Sequence, residues 1–97
     1  NHYKLLLKRN PNDVKLLFRL ATISTEQQLW SDSVNLLNTL LEHKADHIEA
    51  RYLLAKSYCS LNRGRLCQQQ ARLTLKLNSN HNEAKELLSN SIIEGQI

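Results

Sequence analysis

Methionine is absent from this chain, proline occurs once, and glycine and cysteine occur twice each. So few turn-formers exclude a fold of many short strands joined by tight turns. They equally exclude a Pro/Gly-rich disordered linker. Aromatic residues make up only 5% of the sequence, so any core must be aliphatic and led by leucine. No apolar run approaches the roughly 20 residues of a membrane-spanning helix, and no basic n-region followed by an apolar h-region marks a secretory signal. Cys59 and Cys67 are too few for a disulfide scaffold. They read as small buried thiols of a reducing compartment, although eight residues across a helical turn can be bridged in some geometries. The chain cannot begin with its own initiator and opens directly on helix-like sequence, so we expect a segment of a longer protein.

Charge of one sign is also scarce. Thirteen basic against nine acidic residues leave a net charge of +4 and a pI near 9.3, spread along the chain without a Lys/Arg block. Arg63, Arg65, Arg72 and Lys76 gather in one region, with Lys8, Arg9 and Lys44 at other predicted helix ends. A nucleic-acid footprint would collect such residues on one binding face; here they fit a solvated convex or edge surface instead. No Gly-rich phosphate loop, catalytic triad or carboxylate pair is present, and no cofactor is expected. His43 and His47, with Glu42 and Asp46, have the spacing of a helical metal site. The interhelix turn predicted at 44–46 destroys that register, and the recurrence of His47 as His81 points to a capping or turn role.

What the chain has is repetition at 34 residues. Leu20-Ala21-x-x-Ser24 recurs as Leu54-Ala55-x-x-Tyr58 and as Leu88-Ser89-x-x-Ile92. Tyr3, Leu37 and Ala71 share a phase, as do Leu6, Leu40 and Thr74; Leu7, Leu41 and Leu75; and Pro11, Ala45 and Ser79. A fixed period of this kind marks a stack of similar supersecondary units. Within each period the apolar residues follow helical spacing. Helices are predicted over 2–9, 14–25, 33–43, 47–61, 65–77 and 82–94. Asn12-Asp13, Ser31-Asp32 and Asp46 are the expected caps, because a side-chain oxygen there can accept an orphan amide. Gly64 is expected to take a left-handed conformation in the turn at 62–64. Turns of two to five residues make successive helices antiparallel neighbours. Ala21, Ala55 and Ser89 leave room for the following helix, with Ser33 and Cys67 as the matching small contacts on that helix.

Together these residues make the chain resemble the tetratricopeptide repeat family, whose pattern runs large-x-x-Leu-small-x-x-aromatic, then small-x-x-x-large, then proline. Leu17, Leu20, Ala21, Ser24, Ser33, Leu37 and Ala45 fill one copy; Arg51, Leu54, Ala55, Tyr58, Cys67, Ala71 and Ser79 fill the next. Ser24, Arg51, Ala45 and Ser79 depart from the pattern, and Gly64 stands where Trp30 stood. The resemblance implies an all-α, right-handed superhelix of antiparallel helix pairs, a tetratricopeptide-like α-solenoid. It would hold two full repeats at 12–45 and 46–79, the end of a preceding repeat at 1–11, and a partial repeat or capping helix at 80–97. A non-repeat helical bundle is the alternative fold.

The resemblance further implies a non-catalytic scaffold whose first helices line a concave groove for a peptide or helix of a partner protein. The groove candidates are Lys15, Phe18, Arg19, Thr22 and Thr25, then Glu49, Tyr52, Lys56 and Cys59, then Glu83, Glu86 and Asn90. Phe18 and Tyr52 are 34 apart and would form a short aromatic ladder or cover the seams between units. Family members that clamp a chaperone's C-terminal carboxylate carry Lys, Asn, Asn, Lys and Arg in the groove. Here those places hold Phe18, Thr22, Leu53, Glu83 and Leu87, so that mode is not expected. Self-association as a homodimer is the alternative function, and RNA binding a more distant one.

Overall fold

The computed structural model describes residues 8–9 and 13–95, with side chains through Asn90. The helix predicted over 2–9, with Tyr3, Leu6, Leu7 and Pro11, lies almost wholly outside the described residues, as do Asn12 and the Ile92 side chain. Five helices follow one another: α1 (Val14–Glu26), α2 (Trp30–His43), α3 (Ile48–Ser60), α4 (Gly64–Leu77) and α5 (Asn82–Gly95). No strand occurs among the described residues.

Local chemistry sets where each helix starts. Asp13 Oδ1 accepts the Leu16 amide at 3.1 Å, capping α1 as expected. The cap of α3 is His47 rather than Asp46: its Nδ1 accepts the Ala50 amide at 3.2 Å. His81 Nδ1 does the same for Ala84 at 3.1 Å. Imidazole is an uncommon cap, but an unprotonated ring nitrogen is an acceptor like a carboxylate oxygen. Ser31 and Asp32 do not cap α2, which begins earlier, at Trp30, and carries Asp32 in its first turn. An acidic side chain there complements the positive end of the helix.

The corners explain that shift. Gln28 and Asn62, 34 apart, both sit at φ 61°. Beyond each, an amide reaches back over the helix end: Leu29 to the Ser24 carbonyl and Arg63 to the Tyr58 carbonyl, both at 2.8 Å. A left-handed residue followed by this six-to-one bond is the Schellman stop, after which the next helix starts at once. The left-handed place in the second corner therefore belongs to Asn62 and not to Gly64. Gly64 is the first residue of α4, and a Cβ added to it would meet nothing within 4 Å.

Burial follows the repeat. Leu17, Ala21, Leu37, Leu40, Leu41, Ala50 and Leu54 form the central cluster, with Val14, Phe18, Val34, Leu36, Leu53 and Tyr58 packed against it. The small residues Ala21, Ala55, Ser33 and Cys67 are all fully buried. The α3–α4 pair is built from poorer material than α1–α2. Where α1 and α2 place Leu17, Leu36, Leu37 and Leu40, α3 and α4 place Arg51, Gln70, Ala71 and Thr74. Arg51 bridges polar atoms instead, donating from Nε to the Ala45 carbonyl and from Nη1 to Gln70 Oε1, both at 3.0 Å. Thr74 is fully buried, with its hydroxyl donated to the Gln70 carbonyl at 2.8 Å. Leu66 and Leu77 of α4 stand 37% and 42% exposed.

The helix pairs stack into an elongated body of 43 × 24 × 17 Å. Consecutive helices pack on each other along the chain. The first helices also touch across pairs, α1 with α3 and α3 with α5, whereas α2 and α4 make no such contact among the described residues. An array whose first helices converge and whose second helices splay is curved, with α1, α3 and α5 on the inner side.

Candidate interaction groove

The residues expected in the groove lie on α1, α3 and α5. Lys15, Arg19, Glu49, Lys56, Glu83, Glu86 and Asn90 are exposed, and Phe18, Thr22 and Tyr52 are half-buried. Thr25 is buried, at 9%, and donates its hydroxyl to the Thr22 carbonyl at 2.7 Å, so it offers little to a ligand. Thr22 likewise donates to the Phe18 carbonyl at 2.8 Å.

The ring contacts among the described residues pair each groove aromatic with a capping histidine. Phe18 meets His47 with centroids 4.7 Å apart, and Tyr52 meets His81 at 4.9 Å. Each ring thus spans the seam between one helix pair and the next helix. The two seams differ on one side. His81 is 5% exposed, and its Nε2 faces Glu49 Oε1 at 3.1 Å. Because Nδ1 accepts the Ala84 amide, Nε2 carries the proton and donates to that carboxylate. Glu83 Oε2 also lies 3.4 Å from Nδ1. In the first seam the place of Glu49 is held by Lys15, which cannot accept a proton from His47.

This makes the wall electrostatically graded. Lys15 and Arg19 lie together on α1; Glu49, Glu83 and Glu86 surround Tyr52. Burial, and then the carboxylates of Glu83, Glu49 and Glu86, push the Tyr52 phenol above its ordinary value of 10.0, because each disfavours a phenolate. The sequence missed His47 and His81 as groove components, although their recurrence marked them as structural. Among the described residues no three His, Cys, Asp or Glu side chains converge as a metal site, and no helix is long and apolar enough to cross a membrane.

Cys59 and Cys67 are not free thiols: they form a disulfide between the last turn of α3 and the first turns of α4, with Cα atoms 5.1 Å apart. That separation lies inside the range a disulfide spans without backbone movement. The reading of a reducing compartment rested on free thiols and loses that footing.

An open, curved stack of antiparallel helix pairs defines a helical-repeat scaffold of the protein-interaction kind. The chain belongs to the tetratricopeptide repeat family, whose model matches residues 1–57, a span reaching into α3. No curated protein matches the sequence. Among solved structures, the crystal structure of MamA superposes with a TM-score of 0.93 at 21% identity, over 97% of this chain and 55% of that one. A mutant form of MamA gives 0.89 at 19% identity with the same coverage. The chain thus spans about half the length of the MamA chains, and the likeness is one of fold.

Proposed function

We propose that the inner wall of α1, α3 and α5 binds an extended peptide or helix of a partner protein, and that the chain catalyses nothing. The wall would be built from repeats at 12–45 and 46–79, flanked by parts of repeats at 1–11 and 80–97. The observation that carries the reading is the wall's composition. Convergent first helices present a row of exposed charged side chains around two half-buried rings, with Glu49 and Glu83 also meeting the buried His81. Rigid aromatics flanked by polar groups are the usual anchors of an interface. The grading from Lys15 and Arg19 to Glu49, Glu83 and Glu86 favours a ligand of mixed charge, with an acidic end toward α1 and a basic end toward α5.

A displayed random-peptide library screened against the chain tests this. The expected ligands carry acidic and basic ends in that order, and lose binding to a Lys15→Glu/Arg19→Glu variant and to a Glu83→Lys/Glu86→Lys variant. Those four residues are exposed, so the variants should keep native helicity. Selected peptides that bind both variants as well as the native chain would sink the groove assignment.

A further inference from the structure

The Cys59–Cys67 disulfide occupies a place that the α1–α2 pair closes without a covalent bond. The residues 34 earlier are Thr25 and Ser33, and each hydroxyl donates only within its own corner or helix, to the Thr22 carbonyl and to the Leu29 carbonyl. There the helices are held by the buried bulk of Leu17, Leu37 and Leu40. In α3–α4 those places hold Arg51, Ala71 and Thr74, so the bond tethers the pair with the thinner apolar core. The two residues are also unequally accessible: Cys67 is fully buried and Cys59 is half-buried. Cys59 lies seven residues, two helical turns, beyond Tyr52 and so on the same face of α3.

We propose that this disulfide is a reducible clasp that sets the stiffness of the second helix pair, opened by thiol attack at Cys59. A thiolate of a small monothiol or dithiol attacks Cys59 Sγ, the sulfur of the less buried residue. The S–S bond breaks, and Cys67 leaves as a thiolate that takes up a proton in its apolar seat. A second thiolate then attacks the mixed disulfide and releases Cys59. Two electrons pass from two reductant thiols, which become one disulfide, to the protein, which ends with two thiols. The opened pair keeps its fold because Thr25 and Ser33 show that small, unlinked side chains fit this seat. What it loses is the tether between the end of a groove helix and the helix behind it.

Hydrogen exchange and thermal unfolding of the intact chain, oxidised and treated with a small dithiol, test the clasp. The reduced chain should keep its helical circular dichroism, melt at lower temperature, and lose protection by about tenfold or more in α3 and α4 amides, with α1 and α2 unchanged. A Cys59→Thr/Cys67→Ser variant should reproduce that state without reductant. A single Cys67→Ser variant should form a mixed disulfide with oxidised glutathione through Cys59, whereas Cys59→Ser should leave Cys67 unlabelled until denaturant is added. Unchanged protection after reduction, complete loss of helix, or a bond that resists dithiol in the folded chain would each overturn the proposal. So would faster labelling at Cys67. The clasp does not depend on what fills the groove, so its failure leaves the groove reading standing.

Discussion

Replacing His81 by Ala should cost clearly more stability than replacing His47 by Ala, although the two side chains do the same work in the backbone. Each caps a helix, and losing a capping acceptor costs about 1 kcal/mol. Each also stacks on one aromatic ring, worth roughly 0.5–1 kcal/mol. His81 alone is almost fully buried and donates to Glu49 across the seam. A hydrogen bond to a charged group brings more than a neutral one. Glu49, however, is 58% exposed, so solvent screening holds this contribution to about 0.5–1 kcal/mol. The expected losses are therefore about 2–3 kcal/mol for His81→Ala and about 1.5–2 kcal/mol for His47→Ala. For a domain of this size they correspond to melting points lowered by roughly 8–24 °C and roughly 6–16 °C. Thermal or urea unfolding followed by circular dichroism measures both. His81→Asn, which keeps a capping oxygen but loses the ring and the reach to Glu49, should recover about 1 kcal/mol. Glu49→Gln should weaken the native chain slightly and have no effect in the His81→Ala background. Equal losses for the two histidines, or a Glu49 effect that persists without His81, would refute the assignment of the seam.

Leu54 is 1% exposed in the central cluster, so Leu54→Ala should cost about 3–4 kcal/mol of unfolding free energy, and Leu54→Asp should leave no folded population by circular dichroism. The Tyr52 phenol, held up by burial and three carboxylates, should ionise above free tyrosine when its phenolate absorbance is titrated. Above pH 10 the unfolded chain loses this proton before the folded chain does, so stability falls as pH rises from 10.0 towards the folded value. Tyr52→Phe should remove that part of the alkaline loss, and an unchanged pH profile would contradict it. Gln28 at φ 61° bears a left-handed cost of about 1–2 kcal/mol that glycine avoids, against glycine's entropic cost of about 0.5–1 kcal/mol. Gln28→Gly should therefore raise the melting point by a few degrees, and Asn62→Gly by less, since Asn tolerates that region.

The architecture was legible because 34-residue spacing constrains many residues at once. A helix shifted by one position would have broken every match between Leu20 and Leu54 or between Leu37 and Ala71. Details decided by single residues were less legible. Asp46 outranks His47 on capping preference alone, yet the chain turns so that the imidazole reaches the Ala50 amide. Gly64 outranks Asn62 for a left-handed turn, yet the six-to-one bond from Arg63 places that conformation two residues earlier. The free-thiol reading of Cys59 and Cys67 rested on their number and left a bridge across eight residues open. Their separation in space depended on where α3 ended and α4 began. The pairing of Phe18 and Tyr52 with histidines was not legible, because 29 residues separate each partner from the other.

Chains made of near copies carry a hazard during folding: one hairpin's front helix can zip onto its neighbour's rear helix. The Arg51–Gln70 contact bears on that hazard. Were α3 to seat against α2 as α1 does, the guanidinium would meet Leu36 in place of an amide oxygen and lose an acceptor in a half-buried setting. Were α1 to seat against α4, Leu17 would leave Gln70 facing hydrocarbon. Each mistaken match strands a polar group, at about 1–3 kcal/mol apiece, so this one polar bridge makes the two hairpins mutually unexchangeable while leaving their shapes alike.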